Sequence, residues 1–439
     1  MIFNNFHGFN GFGKVSDIFI SLKSRNYRLY FIGQGVSLIG SWMQNIALSW
    51  LIYRLTGSVF LLGFIGFTNQ IPMLILTPFT GVMTDRYSRH KIMLLAQALF
   101  MLHATIMAVL VLLNVIEVWH IITLSVFFGI ISAFDAPARQ ALVVDLIDKP
   151  EDLSNAIALN SAIFNGARLV GPAIAGIIIA IAGEGICFVL NTLSFAAVII
   201  ALLMIKIPLK KENKKLSNFK NSFTEGLQYT FRTLPIRTLI ILLAILSLFG
   251  VPFIVLLPAY AKEILHGGAD TLGYLMSGLG AGALLGALYM AARKSVIGLD
   301  KVIYLNLLLL GISIILASLS NNIHFSLVSL FLAGISMILT LAAINTMLQT
   351  LTEETMRGRV MSFYAMALMG LFPVGNLISG SIASGIGITY TLIIGGIITI
   401  ISGIIFAIRI PVLRKYMQPI YIEKGILPEV KDNIPIGNK

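Results

Sequence analysis

The stretch "KIPLKKENKKLSNFKNSFTEGLQYTFRTLPIR", residues 206–237, is the one long polar interruption in a chain otherwise built from apolar runs. Six runs precede it, at 29–53, 59–83, 92–113, 119–141, 156–180 and 184–205. Six follow, at 238–261, 270–292, 302–319, 323–348, 360–384 and 388–409. Crossing a hydrocarbon core of about 30 Å takes roughly 20 helical residues, and the runs fit that requirement. They are unbroken rather than alternating, and backbone groups in lipid must bond within their own segment, so helices are expected. A composition of 57% hydrophobic and 11% charged residues excludes a soluble globular chain. The expected fold is an all-α membrane protein of twelve transmembrane helices. Two six-helix bundles, 29–205 and 238–409, flank the linker, with tails at 1–28 and 410–439.

Charge sets the orientation. If both termini are cytoplasmic, 28 of the 31 Lys and Arg fall on the cytoplasmic side, Arg54 and Lys262 lie outside, and Arg168 stands within a span. This positive-inside bias accounts for the net charge of +12 without invoking nucleic acid. In the linker, Phe223, Leu227, Phe231 and Leu234 recur at helical spacing and predict a short amphipathic helix on the cytoplasmic surface. Residues 16–23, "SDIFISLK", suit a short interfacial helix, and the N-terminus lacks the pattern of a secretory signal. The single Cys187 excludes an internal disulfide, and no metal or cofactor motif is present in the sequence. Nor is there a Walker A loop, an H-E-x-x-H pair or a G-x-S-x-G elbow, so enzymatic activity is not expected.

The two halves repeat. "VGPAIAG" (170–176) and "VGNLISG" (374–380) align at an offset of 204 residues, as do the loops "DKPEDLSN" and "TEETMRGR" that precede them. "LGF" (62–64) and "LGY" (272–274) open the second and eighth runs. Parallel repeats of this kind place a pathway between halves and suit alternating access.

In the loop "GVMTDRYSRHK" (81–91), Gly81, Asp85, Arg86 and Arg89 follow the spacing G-x-x-x-D-R-x-x-R between the second and third runs. This resembles the signature of the major facilitator superfamily, whose layout matches roughly residues 25–410. "NYRLYFIGQGVSLIGSWMQNIALSWLIYRLTGS" (26–58) and "FDAPARQALVVDLI" (134–147) resemble the branch that includes the bacterial enterobactin exporter and related efflux proteins. The resemblance implies a monomeric exporter in the bacterial cytoplasmic membrane, moving a small organic molecule such as a siderophore in exchange for protons. Broad-specificity drug efflux is the alternative, followed by a nutrient importer and a non-transporting sensor.

Candidate residues follow from this setting. Asp85, with Gly81, Arg86 and Arg89, would form a cytoplasmic gate with Arg139 and with Arg357 and Arg359 at the start of the eleventh span. Ser295 stands where Asp85 would recur, so the gate is expected to be asymmetric. Arg168 is the thirteenth of 25 residues in its span, about 18 Å from either end. A cation there costs roughly 2.5–3.5 kcal/mol on insertion scales and needs a polar partner or an aqueous cavity. Either it binds an anionic or oxygen-rich substrate by forked hydrogen bonds, or it bridges helices. Candidate pathway neighbours are Trp42, Gln44, Asn45, Asn69, Gln70, Asn165 and Asn345. No carboxylate lies at the centre of a span; Asp135 comes closest, and it and His103 are the candidates for proton coupling. Gly171, Pro172 and Gly176 in the fifth span and Gly278, Gly282 and Gly286 in the eighth suit close helix packing, within a half or between halves.

Overall fold

The computed structural model describes residues 19–205, 219–293 and 295–427, apart from the side chains of 77–79, 81–82, 84–86 and 219–223. The first half comprises α1 (Arg25–Thr56), α2 (Val59–Arg86), α3 (Arg89–Leu112), α4 (Val118–Leu146), α5 (Leu153–Ala182) and α6 (Glu184–Met204). After the linker helix, Phe219–Arg232, come α7 (Leu234–Ile264), α8 (Ala269–Ala292), α9 (Leu299–Ser318), α10 (Ile323–Leu351), α11 (Glu354–Ile386) and α12 (Ile388–Glu423). Among the described residues, 11 helices are long and apolar enough to cross a membrane. The remaining helix, α1, is long enough at 32 residues but carries Gln34, Ser37, Gln44 and Asn45.

Local chemistry sets the breaks. Gly57 closes α1 at φ +60°, and the Ser58 side chain then accepts from the Leu61 N–H to cap α2. Gly183 (φ +78°) and Gly387 (φ +88°) make one-residue turns into α6 and α12. They lie 204 residues apart, so the turn belongs to the repeat. Prolines loosen α7: π turns at Leu246–Gly250 and Tyr260–Ile264 flank a tighter turn at Pro252–Leu256. In α11 a π turn at Met366–Gly370 precedes Pro373.

Several boundaries differ from expectation. α7 begins at Leu234, not 238, because Thr233 ends the linker helix and Pro235 suits a first turn. α12 does not stop at 409 but continues to Glu423. Its extension is tied down where Arg414 Nε meets Asp300 Oδ2 at 2.6 Å, and just beyond it Lys424 donates to the carbonyls of Thr350 and Thr352. In place of an interfacial helix over 16–23 there is one 3-10 turn, Ile20–Lys23, with Ser21 bonded to Asn155; residues 16–18 lie outside the described residues. The linker helix spans Leu227 and Phe231, both exposed, and is clasped to α11 by the Arg359–Glu225 ion pair. Its Tyr229 hydroxyl accepts from the Glu353 N–H, and burial raises that hydroxyl above its ordinary pKa, keeping it neutral.

Within the first half α1 packs on α5 and α6, α2 on α4, and α3 on α4 and α6; within the second, α8 packs on α10 and α9 on α10 and α12. Two seams join the halves, α5 with α8 and α2 with α11. The buried apolar residues divide unequally. One cluster, including Met43, Trp50, Leu62, Leu239, Leu272 and Leu279, is continuous across both halves. The other, including Tyr27, Tyr30, Met93, Phe100, Leu142 and Leu159, stays inside the first half, near the face that carries the linker. The halves therefore share a core toward the far face and separate toward the linker face.

Candidate functional site

Glycines make the seams. A Cβ on Gly63 would lie 2.9 Å from the Gly380 Cα, and one on Gly273 would lie 2.9 Å from the Gly176 Cα and 2.7 Å from the Pro172 carbonyl. These are the glycines of the repeated "LGF/LGY" and "VGPAIAG/VGNLISG" motifs. Each motif of one half meets the other motif of the second half, so the joint has twofold pseudo-symmetry. Backbones approach this closely only where no side chain intervenes. Toward mid-depth the seams end with Gly280 against the Arg168 carbonyl and Gly370 against Leu74. Gly278, Gly282 and Gly286, by contrast, face Leu327, Phe331 and Ile335 of α10 inside the second half. The joint between halves uses the other glycine row of α8.

The far face also carries polar contacts between halves. Tyr53 of α1 donates a hydrogen bond to Glu263 of α7, and Lys262 Nζ lies 5.8 Å from the Trp50 ring centre. Arg54 pairs with Glu184 within the first half at 2.7 Å.

Beyond the seams toward the linker face, α4 and α10 pack only within their own halves. One face of α5 leads inward from there: Ile157, Ser161, Phe164 and Arg168 follow at helical spacing, and Ile157 and Phe164 are exposed although apolar. At the end of this stripe the half-buried Arg168 guanidinium lies 5.7 Å from the Trp42 ring centre, with Phe164 set edge-on to the same ring. Among the described residues Arg168 has no hydrogen-bond or ion-pair partner. Asn45, one turn from Trp42, is exposed.

The other candidates divide by what engages them. Gln44 is buried inside the first half, accepting from Asn191 at 2.8 Å and approaching His103 Nδ1 at 3.5 Å. His103 is buried there too, its ring against Phe128. Asn165 donates back to the Ser161 carbonyl, while Asn345 accepts from Gln349. Asn69 and Gln70 are half-buried on α2. Asp135 is buried, taking a hydrogen bond from Gln97 at 2.8 Å and pairing with Arg139 of its own helix at 3.3 Å.

The cations expected at a gate do not reach the opposite half: Arg89 pairs with Asp145 at 3.1 Å, Arg139 with Asp135 and Arg357 with Glu354 inside their own halves, and Arg359 pairs with Glu225 of the linker helix. The Asp85 and Arg86 side chains lie outside the described residues, as does any contact of Gly81. Sequence reasoning missed Tyr53, Glu263 and Asn191, whose partners lie far along the chain, and Gly63, Gly273 and Gly380, whose signal was the repeat itself.

Two six-helix halves meeting at symmetric glycine seams define a transporter of the major facilitator fold rather than an enzyme. The chain belongs to the transmembrane secretion effector family of that superfamily, whose model matches residues 17–421. The staphyloferrin A transporter of Staphylococcus aureus is 25% identical over 86% of this chain and 95% of its own length. The macrolide efflux protein A of Streptococcus pyogenes is 22% identical over 87% and 96%. Among solved structures, a bacterial homologue of the iron transporter ferroportin in an inward-facing state superposes with a TM-score of 0.67 at 18% identity, over 87% of this chain and 98% of that one.

Proposed function

We propose that this protein exports a small organic molecule across the bacterial cytoplasmic membrane by alternating access, as a monomer with both termini in the cytoplasm. The observation that carries the reading is the pair of glycine seams: they hold the halves together at the far face and end beside Arg168, from which the exposed Phe164 and Ile157 follow along α5 toward the linker face. With the linker face cytoplasmic, as its share of Lys and Arg favours, this is the inward-facing state, ready to load cargo from inside. Gly81, Asp85, Arg86 and Arg89 would then close against α10 and α11 only in the opposite state. That accounts for the pairing of Arg89, Arg139 and Arg357 within their own halves and of Arg359 with the linker helix.

A siderophore is the favoured cargo, supported by the staphyloferrin A transporter among the relatives; drug efflux is the second reading, supported by the macrolide efflux protein. Arg168, Trp42, Asn45 and Phe164 would form the substrate site, with Asn69, Gln70, Asn165 and Asn345 as further pathway neighbours. Gln44, a pathway candidate, and His103, a proton-coupling candidate, are instead engaged inside the first half, Gln44 with Asn191 and near His103. Proton antiport would use Asp135, whose buried pair with Arg139 a proton would release. The test is untargeted mass spectrometry of medium from iron-starved cells with and without the gene, repeated with a protonophore. A metal-chelating metabolite should disappear from the medium on deletion. An unchanged medium together with unchanged drug accumulation would overturn the exporter reading.

A further inference from the structure

Five arginines on the described helices are matched by carboxylates of the chain. Arg54, Arg89, Arg139, Arg359 and Arg414 each hold a carboxylate within 3.3 Å, and four of these pairs lie at a membrane face. Arg168 has no such partner among the described residues, and it stands nearest mid-depth. The Trp42 ring covers the guanidinium without accepting any of its five N–H donors. The carboxylates nearest by topology are taken or distant: Asp135 is committed to Gln97 and Arg139, and Asp270 packs at Gly176, about 12 Å along α5 at a rise of 1.5 Å per residue.

In the open state water solvates the guanidinium. Alternating access must pass through a state in which both faces are closed and that water is largely excluded. Closing around an unpaired cation is costly, whereas closing around a cation and carboxylate joined by forked hydrogen bonds is far less so.

Taking the exporter reading and its Arg168 site as given, we propose that the cargo is an organic anion, whose carboxylate or equivalent oxyanion supplies the counter-charge the chain withholds from Arg168, and that this neutralisation permits the linker face to close. The Trp42 and Phe164 rings favour an anion attached to a flat, apolar body. Empty, the carrier stays open; loaded, it closes. The same residue thus selects the charge of the cargo and couples loading to movement.

The test uses the full chain reconstituted in nanodiscs and three probes of one shape: 1-naphthoate, the neutral 1-naphthamide and the cationic 1-naphthylmethylammonium. Binding is read from quenching of tryptophan fluorescence. Closure is read from maleimide labelling of a cysteine introduced by Ile157→Cys on the exposed stripe; the native Cys187 is buried. In the otherwise wild-type chain the carboxylate should bind at least about tenfold tighter than the amide or the cation, as expected for charge-assisted against neutral hydrogen bonds. It alone should slow labelling. Arg168→Gln should reduce the carboxylate's preference to within about twofold and abolish protection, while Arg168→Lys keeps part of the preference and less of the protection. An unchanged melting temperature for both variants separates recognition from folding.

Equal binding of the three probes, absence of carboxylate binding, or a carboxylate preference that survives Arg168→Gln would overturn the proposal. Export of a neutral or cationic compound, measured in cells, would overturn it while leaving the exporter reading intact. Charge-selective binding without export of any metabolite or drug would do the reverse.

Discussion

Substituting Gly273 by alanine tests whether the seam between α5 and α8 belongs to one conformational state. The added Cβ would stand 2.7 Å from the Pro172 carbonyl and 2.9 Å from the Gly176 Cα, where ordinary contacts begin near 3.4 Å. Both obstacles are backbone, so no side chain can rotate away, and the halves must separate by several tenths of an ångström. Overpacking of this kind costs about 1–3 kcal/mol. In alternating access the far-face seam exists only while the linker face is open, so the whole cost falls on that state. At 1.4 kcal/mol per tenfold, the equilibrium should shift toward the outward-facing state by roughly 5- to 150-fold. Spin labels introduced by Val115→Cys and Leu319→Cys, both exposed at far-face helix ends of opposite halves, would report the change as a longer inter-label distance in double electron–electron resonance. Gly282→Ala is the control. Its Cβ would strike the Phe331 carbonyl inside the second half, in a seam that both states retain. It should lower the melting temperature without changing the distance distribution. If Gly273→Ala destabilises the protein but leaves the distances unchanged, or Gly282→Ala shifts them equally, the assignment of the seams to one state is wrong.

Tyr53→Phe and Glu263→Gln should each weaken the polar contact between halves at the far face; a partly exposed hydrogen bond of about 0.5–1 kcal/mol predicts a two- to fivefold shift in the same distance measurement. Gly387→Ala places a side chain at φ +88°, ψ 164°, a region essentially reserved for glycine, and should destabilise the protein by about 1–3 kcal/mol in a thermal melt with no effect on the state equilibrium. Asp135→Asn keeps the hydrogen bond from Gln97 but removes the titrating group and the partner of Arg139. Cargo exchange across vesicles should persist while efflux driven by a pH gradient falls at least about tenfold, and full gradient-driven efflux would remove Asp135 from the coupling.

The helices, the six-plus-six division and the repeat were legible because each is written locally: twenty apolar residues make a span whatever lies beside it, and a duplicated motif keeps its spacing. Boundaries were less so. α12 outruns its apolar segment because Asp300, more than a hundred residues earlier, holds Arg414, and no window of sequence contains both. The same limit explains the amides. Gln44 and Asn45 are adjacent and chemically alike, yet one is locked to Asn191 and the other is exposed, because a helix turns neighbours about 100° apart and only the partner helices decide which side is the interior. Arg168 was conspicuous for the opposite reason. Its cost depends on depth in the membrane, and depth can be counted along the chain.

The repeat also separates two properties that a transporter must combine. Gly63 meets Gly380 and Gly176 meets Gly273, so the joint is symmetric, and each half contributes the same two motifs to it. The chemistry beside that joint is not symmetric. At the offset of 204, Arg168 corresponds to Phe372 and Pro172 to Asn376. Duplication supplies a joint that both halves share, and a joint requires only close backbones. Recognition requires charge, and two facing cations at one depth would repel and double the cost of burial. One half therefore carries the guanidinium and the other an aromatic ring. The seam should then act on movement alone and the arginine on both: Gly273→Ala shifts the state equilibrium without changing which probe binds, and Arg168→Gln changes which probe binds and also relieves the empty carrier of the unpaired charge that keeps its linker face open.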